Sequence, residues 1–272
     1  MNKNYTVNLS RGLFNSKYLP LLDCGTRYMV LYGGAGSGKS VFIVQRYLIR
    51  LISERGRNLL VVRAVSNTNR DSTFAAFKQV ISAWGLSELF RVCESDMRIR
   101  AANGNSVIFK GLDDSEKLKS ITFENGILTD IWIEEASEIT QADFNQLDIR
   151  LRGKGAKKQI VVSFNPTDIN HWLKKRFVDT PDPNVTLMHG TYRDNGFLDD
   201  EYRALLESYK DSDPYYYAVY CLGEWGVFGS SVFNAERVSE RIAALAPPLK
   251  KGVFTFSYNG ADISDIRFDE TE

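Results

Sequence analysis

Gly33-Gly34-Ala35-Gly36-Ser37-Gly38-Lys39-Ser40 narrows the possible folds of this chain more than any other stretch. It fits Gly-x-x-x-x-Gly-Lys-Ser/Thr, the Walker A phosphate loop, and each part has a task. The glycines let backbone N–H groups converge on phosphate oxygens, Lys39 neutralises the β and γ phosphates, and Ser40 ligates Mg²⁺. Residues 27–32 (Arg-Tyr-Met-Val-Leu-Tyr) read as a buried strand entering the glycines. Lys39–Ser53 then carries Val41, Ile43, Val44, Tyr47, Leu48 and Leu51 largely at helical spacing. A strand, a glycine loop and a helix in that order imply a site for ATP and Mg²⁺. The competing reading is a glycine-rich turn with a stray lysine.

The elements that follow alternate. Residues 58–63 read as a second buried strand, 74–84 as an amphipathic helix stopped by Gly85, and 98–110 as a hairpin turning at Asn103-Gly104. Residues 130–134 form a third core strand and 141–151 a helix; 159–164 form a fourth strand, broken by Asn165-Pro166. This predicts an α/β fold, a P-loop NTPase of the ASCE type with a mostly parallel central sheet flanked by helices. Its core is expected over 1–180. Residues 181–228 (a turn, a strand over 185–189, a helix over 199–210 and a second helix from Asp213-Pro214) read as a small helical lid subdomain. Residues 229–272 read as a linker and an acidic tail. From Asn259 onward the tail has five acids against Arg267 and no recognisable element of its own.

Composition removes some function classes. Lys+Arg and Asp+Glu number 34 each, a formal net charge of +0, so any nucleic-acid contact is local or shared with partner subunits. Hydrophobic residues make up 43%, enough for a sizeable core, which excludes wholesale disorder. Cys24, Cys93 and Cys221 show no disulfide or metal-ligand spacing, which suits a reducing cytoplasm. With no signal-peptide pattern and no long apolar run, the expectation is a soluble intracellular protein without a membrane partner.

Ile131-Trp132-Ile133-Glu134-Glu135 supplies the second half of the site. A P-loop hydrolase needs a strand ending in an acid that holds Mg²⁺ and a neighbour that orients the attacking water. Glu134 takes the metal position, where Asp is usual, and its extra methylene changes its reach. Glu135 is the candidate general base. The alternative is a pair of solvated acids at a strand edge, and Glu138 belongs to the next helix start. Ser163-Phe164-Asn165-Pro166-Thr167 ends a strand expected beside the Walker A strand. There Asn165, and second to it Ser163, is placed to touch the γ-phosphate or the lytic water; otherwise Asn-Pro merely stops the strand. Tyr18 and Arg27 are candidates to stack on adenine, although Tyr18 also suits the core. The positive charge that phosphoryl transfer requires has four candidates, Lys117, Lys119, Arg150 and Arg152, each of a kind more often found as an ordinary surface charge. Lys154, Lys157 and Lys158 extend the last two into a basic patch that suits either a DNA backbone or a solvated loop.

Together the segments 33–40, 131–136 and 163–166 resemble the ATPase half of the large terminase subunits of tailed double-stranded-DNA bacteriophages. Two further stretches resemble the family's lid: Thr191-Tyr192-Arg193-Asp194-Asn195 and Tyr220-Cys221-Leu222-Gly223-Glu224-Trp225-Gly226. The resemblance covers roughly residues 11–228. It implies an ATP-driven motor that moves double-stranded DNA into a procapsid through a portal protein, with a small terminase subunit selecting the DNA. It further implies a homo-oligomeric ring at work, a monomer in isolation, and a place in the host cytoplasm. Asn165 then belongs to the motif that couples γ-phosphate loss to the lid. Two departures stand out. Ala35 occupies a position where many members carry arginine, so the finger comes from elsewhere. The family's C-terminal nuclease domain has no counterpart in these residues, and no nuclease activity is expected of them.

Three other functions fit parts of the sequence. A helicase-like motor shares the first two motifs, and only the stretches 163–166 and 192–225 separate it from a terminase. A small-molecule kinase fits poorly, because adjacent acids suit activation of water. A nucleotide-binding switch with little turnover is opposed by the Glu134-Glu135 pair.

Overall fold

The apolar runs become strands close to their expected bounds. The computed structural model describes residues 6–114, 121–153 and 157–226, and the backbone of 251–258 and 261–269. The strands are β1 (Tyr28–Gly33), β2 (Leu59–Arg63), β3 (Phe90–Cys93), β4 (Arg98–Ala101), β5 (Ser106–Gly111), β6 (Asp130–Glu134), β7 (Gln159–Phe164) and β8 (Val185–Gly190). They form one sheet in the order β3-β4-β5-β2-β6-β7-β1-β8. Pairing is parallel from β5 through to β8 and antiparallel only where β3 and β4 extend the edge. Every residue of β6 and β7 is buried, as expected for strands covered on both faces.

Helix α1 (Lys39–Ser53) covers one face, packing Phe42, Ile43, Tyr47 and Leu48 against Met29, Leu31, Val61, Trp132 and Val161. The helix Gln141–Arg150 covers the other, with Phe144 and Leu147 against Val30, Leu60, Ile133 and Val162. The result is a three-layer α/β sandwich, and the P-loop NTPase expectation holds.

β7 lies between β1 and β6, as the sequence predicts for the strand beside the loop. Ser163 is level with Leu31 of β1 on one side and Glu134 of β6 on the other. The glycine loop, the acid pair and Asn165 therefore leave the sheet side by side at its C-terminal edge, where such sheets bind ligands.

Three expectations change. The helix expected from Phe74 is preceded by helical backbone from Ser66, which runs through Arg70–Phe74 into Ala75–Ala83. Val185–Gly190, in the stretch read as a lid, is a strand of the central sheet paired with β1. The rest of that stretch, including the helix Asp200–Ser212, builds its own small cluster of Tyr192, Leu206, Tyr217 and Cys221. The third change concerns the tail, where the sequence reading has no element. β9 (Lys251–Tyr258) pairs antiparallel with β10 (Ala261–Asp269), with a register shift between Asp262 and Ser264. The alternating residues on either side of Asn259-Gly260 are a hairpin signature, hidden by the acidic composition. By its contacts the chain divides into residues 1–226 and 227–272. Among the described residues no helix is long and apolar enough to cross a membrane.

Candidate nucleotide site

A cleft of about 380 Å³ opens at the C-terminal ends of β1, β6 and β7, lined by residues 34–41, Glu134, Glu135, Ser163, Phe164, Asn165, Asn195 and Leu198. All residues of the predicted phosphate loop except Gly33, which sits behind it, line this cleft. The loop needs its glycines. Gly36 and Gly38 have φ of 71° and 83°, in the left-handed region, and a Cβ on Gly34 would lie 1.9 Å from the Cys221 carbonyl oxygen.

Lys39 is buried, and its Nζ donates to Gly33 O (3.0 Å), Gly34 O (2.9 Å), Ser37 Oγ (3.1 Å) and Asn165 Oδ1 (3.1 Å). Burial pushes its pKa down to about 8, against the pull of Glu134 and Glu135. A buried cation whose hydrogen-bond partners are neutral attracts an anion strongly.

Glu134 is buried and doubly held. Ser40 Oγ donates to its Oε1 at 2.5 Å, and Ser163 Oγ donates to its Oε2. Ser163 in turn accepts from the Trp132 indole N–H at 2.7 Å. Ser163, expected second in line for the phosphate, lines the cleft but spends its hydroxyl on fixing Glu134. Trp132, read in the sequence only as part of an apolar run, begins this chain of hydrogen bonds. The longer glutamate side chain lets the carboxylate meet the Ser40 hydroxyl directly. A hydroxyl and a carboxylate side by side are hard oxygen donors, and they suit Mg²⁺, which keeps several waters and takes few protein ligands.

Glu135 follows in the left-handed region, with φ of 53° and ψ of 50°. Among the described residues only Met97 shares a positive φ without being glycine. Such a backbone costs on the order of 1 kcal/mol and is typical of functional positions. It turns Glu135 from the strand into the cleft mouth. Burial, and then the neighbouring Glu134, push the Glu135 carboxyl above the ordinary glutamate range, opposed by Lys39 and Arg63. That shift moves it toward the range of a working base. Glu138 ends the short turn Ala136–Glu138 and pairs with Arg63 at 3.7 Å.

The proposed adenine contacts are placed elsewhere. Tyr18 is fully buried in the core, stacked on Phe42 with ring centroids 5.3 Å apart, and burial pushes its pKa up to about 12. Arg27 precedes β1, at the opposite end of the sheet, and its Nη2 pairs with Asp148 Oδ1 at 2.6 Å. The whole of β1, at roughly 3.3 Å per residue, separates it from the loop. Arg150 ends the helix Gln141–Arg150, Arg152, Lys157 and Lys158 lie in the connection that feeds the start of β7, and none of the four lines the cleft. Lys117, Lys119 and Lys154 lie outside the described residues. Asn15 is not singled out by the sequence, and Asn195 only as the end of the lid-like stretch 191–195, yet both bond to the loop: Asn15 Nδ2 donates to Ser37 O at 3.1 Å, and Asn195 Nδ2 to Gly36 O at 2.7 Å. Their partners lie 22 and 159 residues away in sequence, so no local pattern announces them.

Comparison with known proteins gives the family and the fold. The family model described as phage terminase large subunit matches residues 25–224. The PBSX phage terminase large subunit of Bacillus subtilis (strain 168) is 33% identical over 256 residues, covering 85% of this chain and 58% of its own length. The large subunit of the terminase of Bacillus phage SPP1 is 32% identical over 217 residues, covering 77% and 51%. This chain thus spans about half the length of the curated relatives it matches. Among solved structures, the large terminase of a thermophilic bacteriophage in complex with ADP superposes with a TM-score of 0.64 at 17% identity, over 93% of this chain and 68% of that one. A variant of the large-terminase ATPase domain of Thermus phage P74-26 gives 0.57 at 14% identity, over 77% and 93%. At such identities these two speak for the fold.

Proposed function

The chain belongs to the phage terminase large-subunit family, and from that membership together with the cleft we propose that it is the ATP-hydrolysing part of a DNA-packaging motor. The observation that carries the chemistry is the carboxylate pair at the end of β6. Glu134 is fixed on the Ser40 hydroxyl while Glu135 stands beside it, in the cleft that holds Lys39.

The loop N–H groups and Lys39 bind the β and γ phosphates. Ser40 and Glu134 would hold Mg²⁺, which would supply charge neutralisation for the bound phosphates. Glu135 takes a proton from the attacking water and orients it in line with the leaving oxygen. Asn165 gives up its bond to Lys39 as phosphates arrive, and regains it when γ-phosphate leaves. The partners are double-stranded DNA, a portal protein on a procapsid, a small terminase subunit and further copies of the chain in a ring, in the host cytoplasm. A positive charge from a neighbouring copy completes the site in this reading, since the described lining holds one cation, Lys39.

Steady-state phosphate release with Mg²⁺-ATP, for wild type and Glu135→Gln over a range of protein concentrations, tests the proposal. Turnover that rises faster than protein concentration and disappears in the variant is expected. Turnover retained in Glu135→Gln removes that residue from the mechanism.

A further inference from the structure

The carbonyls of a phosphate loop face away from the ligand when its N–H groups face toward it, and buried carbonyls need donors. Here two of them, Gly36 O and Ser37 O, are met by buried side-chain amides from separate parts of the chain, Asn195 at 2.7 Å and Asn15 at 3.1 Å. The two amides converge on Gly38, where an added Cβ would lie 3.4 Å from Asn195 Nδ2 and 3.5 Å from Asn15 Nδ2.

Neither amide is free to turn. Asn15 Oδ1 accepts from the Lys17 N–H at 3.0 Å, and Asn195 Oδ1 from the Phe197 N–H at 3.1 Å. With each oxygen engaged by an N–H, each NH₂ end must face the loop. The arms that carry them are also joined to one another, through the Lys17–Asp194 ion pair at 3.4 Å. One arm opens the short helix Ser16–Leu21, and the other leads into Asp200–Ser212, whose Arg203 Nη2 donates to Asn195 O at 3.0 Å.

We propose that Asn15 and Asn195 are positioning residues that clamp the phosphate loop in its binding shape, with Asn195 tying the helical segment after β8 to the loop. The inference rests on the reading of the loop as a nucleotide site and goes beyond it. Phosphate affinity then depends on two amides that touch no phosphate. A shift of the segment carrying Asn195 releases Gly36 O and loosens the loop's grip.

The test is calorimetric titration of the chain with ADP, alone and with Mg²⁺, for wild type, Asn15→Ala, Asn195→Ala, Asn195→Asp and the double alanine variant. Asn103→Ala serves as a control, since its amide also donates to a buried carbonyl, Leu51 O at 2.9 Å, away from the loop. Each single alanine variant is expected to weaken ADP about tenfold, the effect of losing a buried hydrogen bond at a binding loop. The double variant should lose less than the product of the two, because both act on one loop. Asn195→Asp keeps the acceptor for Phe197 but has no donor, and should bind no better than Asn195→Ala. Asn103→Ala should lower the melting temperature and leave ADP affinity unchanged. Asn15 and Asn195 variants that fold and bind ADP within about twofold of wild type overturn the clamp. Affinity losses that merely follow melting temperature, with Asn103→Ala included, overturn it as well. Wild type that binds no ADP overturns the nucleotide reading itself, a different and recognisable result.

Discussion

Lys39 Nζ donates to Asn165 Oδ1 across 3.1 Å, so the cation of the phosphate loop and the amide at the end of β7 share a hydrogen bond. Of the four acceptors around this ammonium, Asn165 alone lies outside the loop. Phosphate oxygens bound at the loop would compete for the same ammonium, which would make the amide a reporter of their presence. Asn165→Ala is expected to leave the KM for ATP within about threefold while lowering kcat roughly tenfold or more, the pattern of an interaction used after binding. Asn165→Asp places a carboxylate on Lys39 and should instead raise KM about tenfold. Steady-state kinetics that separate kcat from KM distinguish these outcomes.

The two shifted groups in the cleft predict a bell-shaped pH profile for kcat/KM, which reports the free enzyme. Glu135 must be ionised to act, and burial with Glu134 nearby holds its carboxyl above the ordinary glutamate value, so the acid limb lies higher than for an exposed glutamate. Lys39 must be charged, and burial brings its pKa to about 8, which sets the alkaline limb. Glu135→Gln and Lys39→Met are expected to abolish turnover, so their readout is stability. A carboxyl with a raised folded-state pKa contributes stability at low pH that is lost as pH rises through that pKa. Glu135→Gln should therefore be the more stable protein on the alkaline side of the Glu135 titration, and its advantage should shrink on acidification. A lysine with a lowered pKa works in the opposite window. The cost of its buried charge is present below about 8 and relieved between about 8 and the ordinary lysine value of 10.5, so the advantage of Lys39→Met fades over that interval. Urea unfolding at several pH values checks both signs.

Much of the site is legible in the sequence for a physical reason. Parallel strands buried on both faces leave continuous apolar runs, so β1, β2, β6 and β7 can be read nearly to the residue, and the acids and glycines at their ends come with them. What the sequence does not show is a contact between distant residues that no motif links. Arg27 looks close to the loop because it precedes β1, yet a strand's length separates them, and its partner is Asp148. Tyr18 suits both a stacking surface and a core, and only the packing on Phe42 decides. The Asn15 and Asn195 bonds to the loop have no spacing rule at all. The β9–β10 hairpin is a different kind of miss, since alternation around Asn259-Gly260 is visible and the acid count draws attention away from it.

Close backbone packing behind the loop predicts a sharp contrast between two glycines. A Cβ at Gly34 would sit 1.9 Å from the Cys221 carbonyl oxygen and 2.5 Å from its carbon, and backbone cannot step aside as a side chain can. Gly34→Ala should lose more than about 3 kcal/mol of stability or shift the loop away from Cys221, with nucleotide binding lost in either case. At Gly196 an added Cβ meets nothing within 4 Å, so Gly196→Ala should stay within about 0.5 kcal/mol of wild type. Urea denaturation of the two variants makes the comparison directly.

The opposite end of β6 carries stability, not chemistry. Asp130 is fully buried between two arginines, with Arg50 Nη1 at 3.0 Å from Oδ1 and Arg57 Nη1 at 3.0 Å from Oδ2. Both arginines also reach Glu54, a more exposed residue. Asp130→Asn removes the buried charge and leaves two largely buried guanidinium groups facing a neutral amide. The expected loss is about 3 kcal/mol, the low end for a broken buried pair, because Glu54 and the Gln159 Oε1 acceptor 3.2 Å from Arg50 remain. Glu54→Ala should cost less than about 1 kcal/mol, as its pairs are partly solvated. Asp130 and Glu134 are the two ends of one five-residue strand, so the substitution leaves the carboxylates of the cleft in place. At temperatures where Asp130→Asn is still folded, turnover per folded molecule should match wild type, and a drop in kcat there would show that the two ends of β6 are coupled.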